Sequence, residues 1–218
     1  MKIVFCKISC MKYYKGAVED DLPYNGGEYV NEIGYGHEEY NFLERDMDEW
    51  EDDYGFNENG KYCLGFVETK STRNNKNNQF HIEKIHDLVK WDDELAVSGV
   101  DVIWCATSDM NETSVMGWYR NANVYRWYQS FYDVNRDERY YNVLAKSSDC
   151  VLLPREERHV YRWNIPVAKR RTYGFGQSMI WYASEEKAQP YLKKFYKDMC
   201  EYDEENWLYK YPKSVVHI

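Results

Sequence analysis

The chain has 218 residues with net charge −9, 44% hydrophobic and 30% charged residues. That is enough for one large domain with a real core. The charge excludes a surface that is basic all round, and no apolar window approaches the ~18 residues of a membrane span. Tyr is the compositional outlier: 22 Tyr and 8 Trp help make 17% of the chain aromatic. Such residues build strands, and they also build recognition surfaces with large contact area and few rotors.

In chain order, residues 2–9 (KIVFCKIS) predict a first strand rather than a signal peptide. Residues 17–60 are acidic and rich in turn formers, with Pro23-Tyr24-Asn25-Gly26-Gly27 the strongest turn signal. They predict a long ordered loop held by Tyr24, Tyr29, Tyr35, Tyr40 and Phe42. Residues 61–69 alternate as a strand does. Residues 71–79 predict a polar hairpin tip, and Phe80-His81-Ile82 restarts a strand. Val100 to Thr107 is the clearest buried strand. A turn from Ser108 to Thr113 separates it from Ser114 to Tyr119, and the pair predicts a central hairpin. Residues 120–135 are rich in Tyr and Arg. Residues 139–146 and 149–153 predict two further strands, and residues 154–174 are basic. Residues 184–206 predict a helix capped by Ser184, with Glu185 and Glu186 in its first turn and with Pro190 either in its first turns or dividing a short turn from the main helix. The chain therefore divides into 1–183, a recognition domain carrying the acidic loop, and 184–218, a helical appendage on the same core.

Six cysteines at 6, 10, 63, 105, 150 and 200 form no CxxC pair, and predict reduced thiols in a cytoplasmic protein with neither zinc nor disulfides. Catalytic motifs are sparse. His37, His81, His86, His159 and His217 are scattered. Asp46 to Asp53 lacks the glycine and closing glutamate of an EF-hand loop. Glu68-Thr69-Lys70 fits the Glu-x-Lys of a restriction-type nuclease, with Asp52 or Asp53 as upstream acid. No cofactor is expected.

Three clusters pair aromatics with amides and glycines. The first runs from Gly117 to Arg126 and offers Trp118, Tyr119, Asn121 and Tyr125 for a base, with Arg120 and Arg126 for phosphate. Aromatics stack on bases, amides read base edges and arginine holds phosphate. The second, Tyr173 to Tyr182, offers Gln177, Ser178 and Trp181, directly after Arg170 and Arg171. The third is Tyr24-Asn25-Gly26-Gly27-Glu28-Tyr29, with Asn25 and Tyr29 as ligand contacts, alongside Tyr40-Asn41-Phe42.

The same segments carry a resemblance. PYNGGEYVNE, GYGHEEYNF, VDVIWCAT, SVMGWYRNANVYR and GFGQSMIWYA together look like an N-terminal domain found in some bacterial HNH-type and restriction-related proteins. The hairpin order resembles the PUA-like superfamily that includes EVE, YTH and SRA domains. The resemblance implies an α+β fold: a PUA-like twisted mixed sheet or half-barrel with flanking helices and a C-terminal helix. It implies recognition of a modified base in DNA, or in RNA, flipped out of the stack into an aromatic cage. Trp118, Tyr119, Asn121, Gln177, Ser178 and Trp181 would hold the base. Arg126, Arg170 and Arg171 would hold the backbone. The chain carries no HNH segment, so cutting in a modification-dependent restriction or defence system would fall to a nuclease partner. Two alternatives stand beside this reading: a metal-dependent nuclease using Glu68 and Lys70, and an acidic protein-interaction or DNA-mimic protein using residues 19–58.

Overall fold

The computed structural model describes residues 2–25, 36–46, 60–69, 79–86, 94–108, 112–132, 137–168 and 172–214. Among them runs one eight-stranded mixed sheet. Its strands are β1 (Ile3–Lys7), β2 (Glu44–Asp46), β3 (Lys61–Gly65), β4 (Ala96–Thr107), β5 (Thr113–Tyr132), β6 (Glu138–Lys146), β7 (Cys150–Leu152) and β8 (Ile180–Trp181). The order across the sheet is β2-β3-β6-β5-β4-β1-β8, and β7 pairs separately with β5. β1 lies parallel to β4, Phe5 opposite Ile103, and the other pairs are antiparallel. The fold is α+β in broad class but mostly β. One α-helix, α1 (Gln189–Cys200), is present among the described residues.

The central strands are apolar on both faces, as their near-continuous hydrophobic runs predict. Val4, Cys6, Val102, Trp104, Met116 and Tyr119 face one layer, packed with Phe42, Phe80 and Leu208. Ile3, Phe5, Ile103, Cys105, Val115 and Trp118 face the other, packed with Trp163 and with Leu192, Phe195 and Met199 of α1. Gly117 sits between these layers because nothing larger fits. A Cβ there would stand 2.1 Å from the Val151 carbonyl and 2.8 Å from the Phe42 ring. The hairpin of β4 and β5 and strands β6 and β7 follow the sequence pattern. Cys6, Cys10, Cys63, Cys105 and Cys150 are buried free thiols, and Cys200 is an exposed one.

Four expectations are corrected. First, β5 does not stop near Tyr119 but runs on to Tyr132, changing partner from β7 to β6. Register shifts opposite Val97 to Val102, with Asn121 at φ 51°, absorb the bend. Second, Phe80-His81-Ile82 forms no strand. Phe80 N–H donates to Arg126 O at 2.7 Å, and the chain then turns into a 3-10 helix at Ile82–Lys84. Third, the helix spans Gln189–Cys200 after a 3-10 turn at Glu186–Ala188, and no side chain caps it. Pro190 sits in its first turn, where the missing N–H costs nothing. Beyond it, Glu201, Asp203 and Glu204 would oppose the negative end of a longer helix. Fourth, the described part of residues 17–60 is not all loop: it holds a 3-10 turn at His37–Tyr40 and strand β2.

Candidate functional site

The first predicted cluster is divided by the alternation of β5. Trp118 is 2% exposed and packs against Trp163 at 5.4 Å. Tyr119 is fully buried beside Trp104, and burial pushes its hydroxyl well above the usual range. Tyr125 is buried against Tyr141. These rings lie in the core and do not form an open cage. Arg126 is buried too, with Nη1 on Glu83 Oε2 at 2.7 Å and Nε on Glu94 O at 3.0 Å. It holds the protein together rather than facing solvent. Arg120 and Asn121 remain exposed. Asn121 occupies the left-handed bulge position, and its N–H reaches Asp101 Oδ1 at 3.4 Å.

In the second cluster Gln177 and Ser178 are exposed on the loop entering β8, and Ser178 Oγ accepts from Ile180 N–H at 3.1 Å. Trp181 is 5% exposed, with its indole N–H held between both carboxylate oxygens of Glu185. Arg170 and Arg171 lie outside the described residues, as does Tyr29 of the third cluster. Asn25 is exposed, in the left-handed region at φ 57°, and its side-chain amide donates to Thr107 O at 3.1 Å.

A site that these expectations only touch forms where α1 meets the segment after β7. A cleft of 480 Å³ opens between α1 and residues 161–167. Its aromatic walls are Tyr161, Tyr173 and Tyr191, its amide is Asn164, and its cations are Arg162 and Lys194. Each wall has a local cause. Tyr161 opens a 3-10 turn whose next ring, Trp163, is pulled fully into the core, which throws Tyr161 outward to 73% exposure. Gly174, at φ 111°, lets the chain pass against Pro166 and brings Tyr173 round. A Cβ on Gly174 would fall 2.1 Å from the Pro166 carbonyl. Behind the wall, Tyr173, Trp181 and Tyr191 form a triangle of rings with centroids 6.2 to 6.3 Å apart. Trp181 thus backs the cleft without lining it. Arg162 lies over the Trp163 ring at 5.1 Å and pairs with Glu157 at 2.7 Å. Lys194 is exposed and has no ion pair among the described residues. Glu112 and Asp198 complete the rim. The volume lies in the range of small-molecule pockets.

Glu68 stands at a second organised corner. Buried Asn41 clamps Phe66 through both its N–H (2.9 Å) and its C=O (3.0 Å). Buried Asn142 does the same to Val67, at 3.1 and 2.9 Å. Tyr128 Oη accepts from Thr69 N–H at 2.8 Å. Three side chains therefore fix the backbone on either side of an exposed Glu68. Nearby, Glu38 accepts from Ser9 N–H at 3.3 Å, and burial pushes its carboxyl up. His37, Phe66, Tyr128 and Tyr140 pack ring to ring around this corner. Burial and the neighbouring Arg139 lower His37, whose Nδ1 accepts from Tyr140 N–H at 3.4 Å. Lys70, Asp52 and Asp53 lie outside the described residues. Among the described residues, no three His, Cys, Asp or Glu come together as metal ligands would.

No side chain of the sequence stood out as lining the cleft except through its neighbours in the Tyr173 to Trp181 cluster. Tyr161, Asn164, Tyr191 and Lys194 come from two separate segments that only the packing of α1 joins. The available signal was the exposed Tyr161-Arg162 pair within the basic stretch. No family model, no curated protein and no solved structure matches the chain. Among the described residues no helix is long and apolar enough to cross a membrane.

Proposed function

We propose that this chain is a nucleic-acid-binding module that takes one base, flipped from its stack, into the tyrosine-walled cleft beside α1. The observation that carries this is the meeting of the exposed Tyr161 ring, the Tyr173 and Tyr191 rings and the exposed Lys194 around 480 Å³. Aromatic rings stack on any base. Asn164 offers an amide to a base edge, and Lys194 supplies a charge for the flanking phosphate. Following the resemblance of its motifs, the base is a modified one in DNA, the sheet is a PUA-like half-barrel, and the module serves modification-dependent restriction beside a nuclease partner. Arg120, Gln177 and Ser178 are the remaining exposed candidates for contact.

The test is fluorescence anisotropy with single- and double-stranded oligonucleotides carrying unmodified or modified bases. Tyr161→Ala and Lys194→Gln weaken binding while the melting temperature stays put. Unchanged affinity in Tyr161→Ala contradicts the cleft assignment, and absence of binding to every oligonucleotide contradicts the function.

A second reading is favoured by one observation, the clamped backbone around Glu68 with Glu38 close by. Fixing an acid this firmly suits a reacting centre. A plasmid-cleavage assay with magnesium or manganese tests it: cutting that Glu68→Gln abolishes supports a nuclease, and no cutting with either metal removes the idea.

A further inference from the structure

On the other face of β5 the structure holds a second cavity, of 270 Å³. Thr113 lines the tyrosine cleft and its neighbour Ser114 lines this cavity, as the alternation of a strand requires. Its charged members are Lys12, Asp20, Asp21, Arg155 and Arg158, with His159 beside them.

Both acids are already satisfied by donors of the protein. Asp21 accepts from the N–H groups of Lys12, Tyr13 and Tyr14 at 2.6 to 3.2 Å. Asp20 accepts from Lys213 N–H at 2.9 Å and from the Ser214 hydroxyl. Arg158 is buried, and its guanidinium bonds the carbonyls of Leu153, Met11 and Lys12 at 2.6 to 2.9 Å. Those carbonyls hold it in place, its guanidinium keeps its proton, and Asp21 is the carboxylate whose charge acts on it. The groups left over are donors. The Arg155 and His159 side chains are exposed, and no hydrogen bond or ion pair among the described residues engages either. Ser108 Oγ is shielded from solvent and has no hydrogen-bond partner among the described residues.

We infer that this cavity is an anion site that takes a phosphate group. Lys12, Arg155 and Arg158 outnumber Asp20 and Asp21 by one charge (three against two), Arg155 supplies a fork matched to phosphate oxygens, and Ser108 and His159 donate from the cavity wall. This inference is independent of the base cleft, because its probe is inorganic phosphate alone.

The experiment is isothermal titration of the full chain with inorganic phosphate at constant ionic strength, repeated on three variants. Saturable binding is expected. Arg155→Gln weakens it about tenfold or more, as loss of a charge-assisted pair does. Ser108→Ala weakens it less, and Lys194→Gln, in the other cavity, leaves it unchanged. Melting temperatures of the variants confirm that each folds. No saturable heat with the wild-type chain, equal affinity in folded Arg155→Gln, or an equal loss in Lys194→Gln overturns the site. Competition with a dinucleoside monophosphate then separates the sources: displacement marks a nucleic-acid phosphodiester, and no displacement marks a free phosphate compound.

Discussion

The aromatic residues of β5 and those of the cleft beside α1 have the same chemistry and opposite fates. Trp118, Tyr119 and Tyr125 sit on a strand covered on both faces, so each ring is buried whichever way it points. Tyr161 sits on a short turn at the edge of the core, where burying Trp163 leaves its neighbour outside. Aromatic excess marks recognition only where the backbone is not already sandwiched. In a three-layer centre, the alternation of a strand assigns both of its faces to the core.

This contrast can be broken most forcefully at Trp118. Trp118→Ala removes a ring packed against Trp163 and Tyr202. It is expected to cost ~3–5 kcal/mol of stability, seen as a large fall in the urea midpoint. Survival of the midpoint together with a loss of oligonucleotide binding would return Trp118 to the site. Arg158→Leu comes next. It leaves the carbonyls of Leu153, Met11 and Lys12 without their donor, at ~3 kcal/mol or more, again read by denaturation. Asn41→Leu removes both bonds to Phe66 and should cost roughly 2 kcal/mol. The same variant sharpens the nuclease reading, since loosening the Glu68 corner would reduce any metal-dependent cutting.

A smaller effect is a dependence on pH. Lys15 is buried with Nζ on the carbonyls of Phe42 and Leu208, and burial lowers it from 10.5 to about 8. Between these two values the unfolded chain holds the lysine proton more tightly than the folded chain does. The native state is therefore penalised below pH 8 and recovers stability as pH rises from about 8 toward 10.5. The difference between wild-type and Lys15→Met denaturation curves over that window isolates this slope. A difference that stays flat across the window would show that Lys15 is not desolvated.

The legible part of the fold was what strand periodicity encodes. The hairpin of β4 and β5, the strands β3, β6 and β7 and the burial of Cys63, Cys105 and Cys150 were all readable from apolar runs and their turns. The length of β5 was not, because the polar Arg120-Asn121-Ala122-Asn123 stretch interrupts the apolar pattern, and a bulge at Asn121 carries the strand through it into Val124 to Tyr132. The helix was found, and Pro190 was legible as the residue that could divide a short first turn from the main helix, but the Ser184 cap was not formed and the C-terminal end was drawn too long. Of the candidate site, Trp181 and its glycine-bearing loop were legible as a cluster. The cleft itself was not, because its walls come from residues 161–167 and from α1, about thirty positions apart, joined only by packing around Trp163 and Phe195. Arg126 misled for a related reason. Nothing in its neighbourhood announces that Glu83, more than forty residues earlier, would neutralise it.

The claim that the protein recognises a base with the cleft beside α1 is tested most directly by one comparison. Affinity for the best-bound oligonucleotide is measured by anisotropy for the wild-type chain and for Tyr161→Ala, at one salt concentration. Loss of a stacking ring predicts a weakening of about tenfold or more, with the melting temperature unchanged because Tyr161 is 73% exposed. Equal affinities in the two folded proteins would contradict the account.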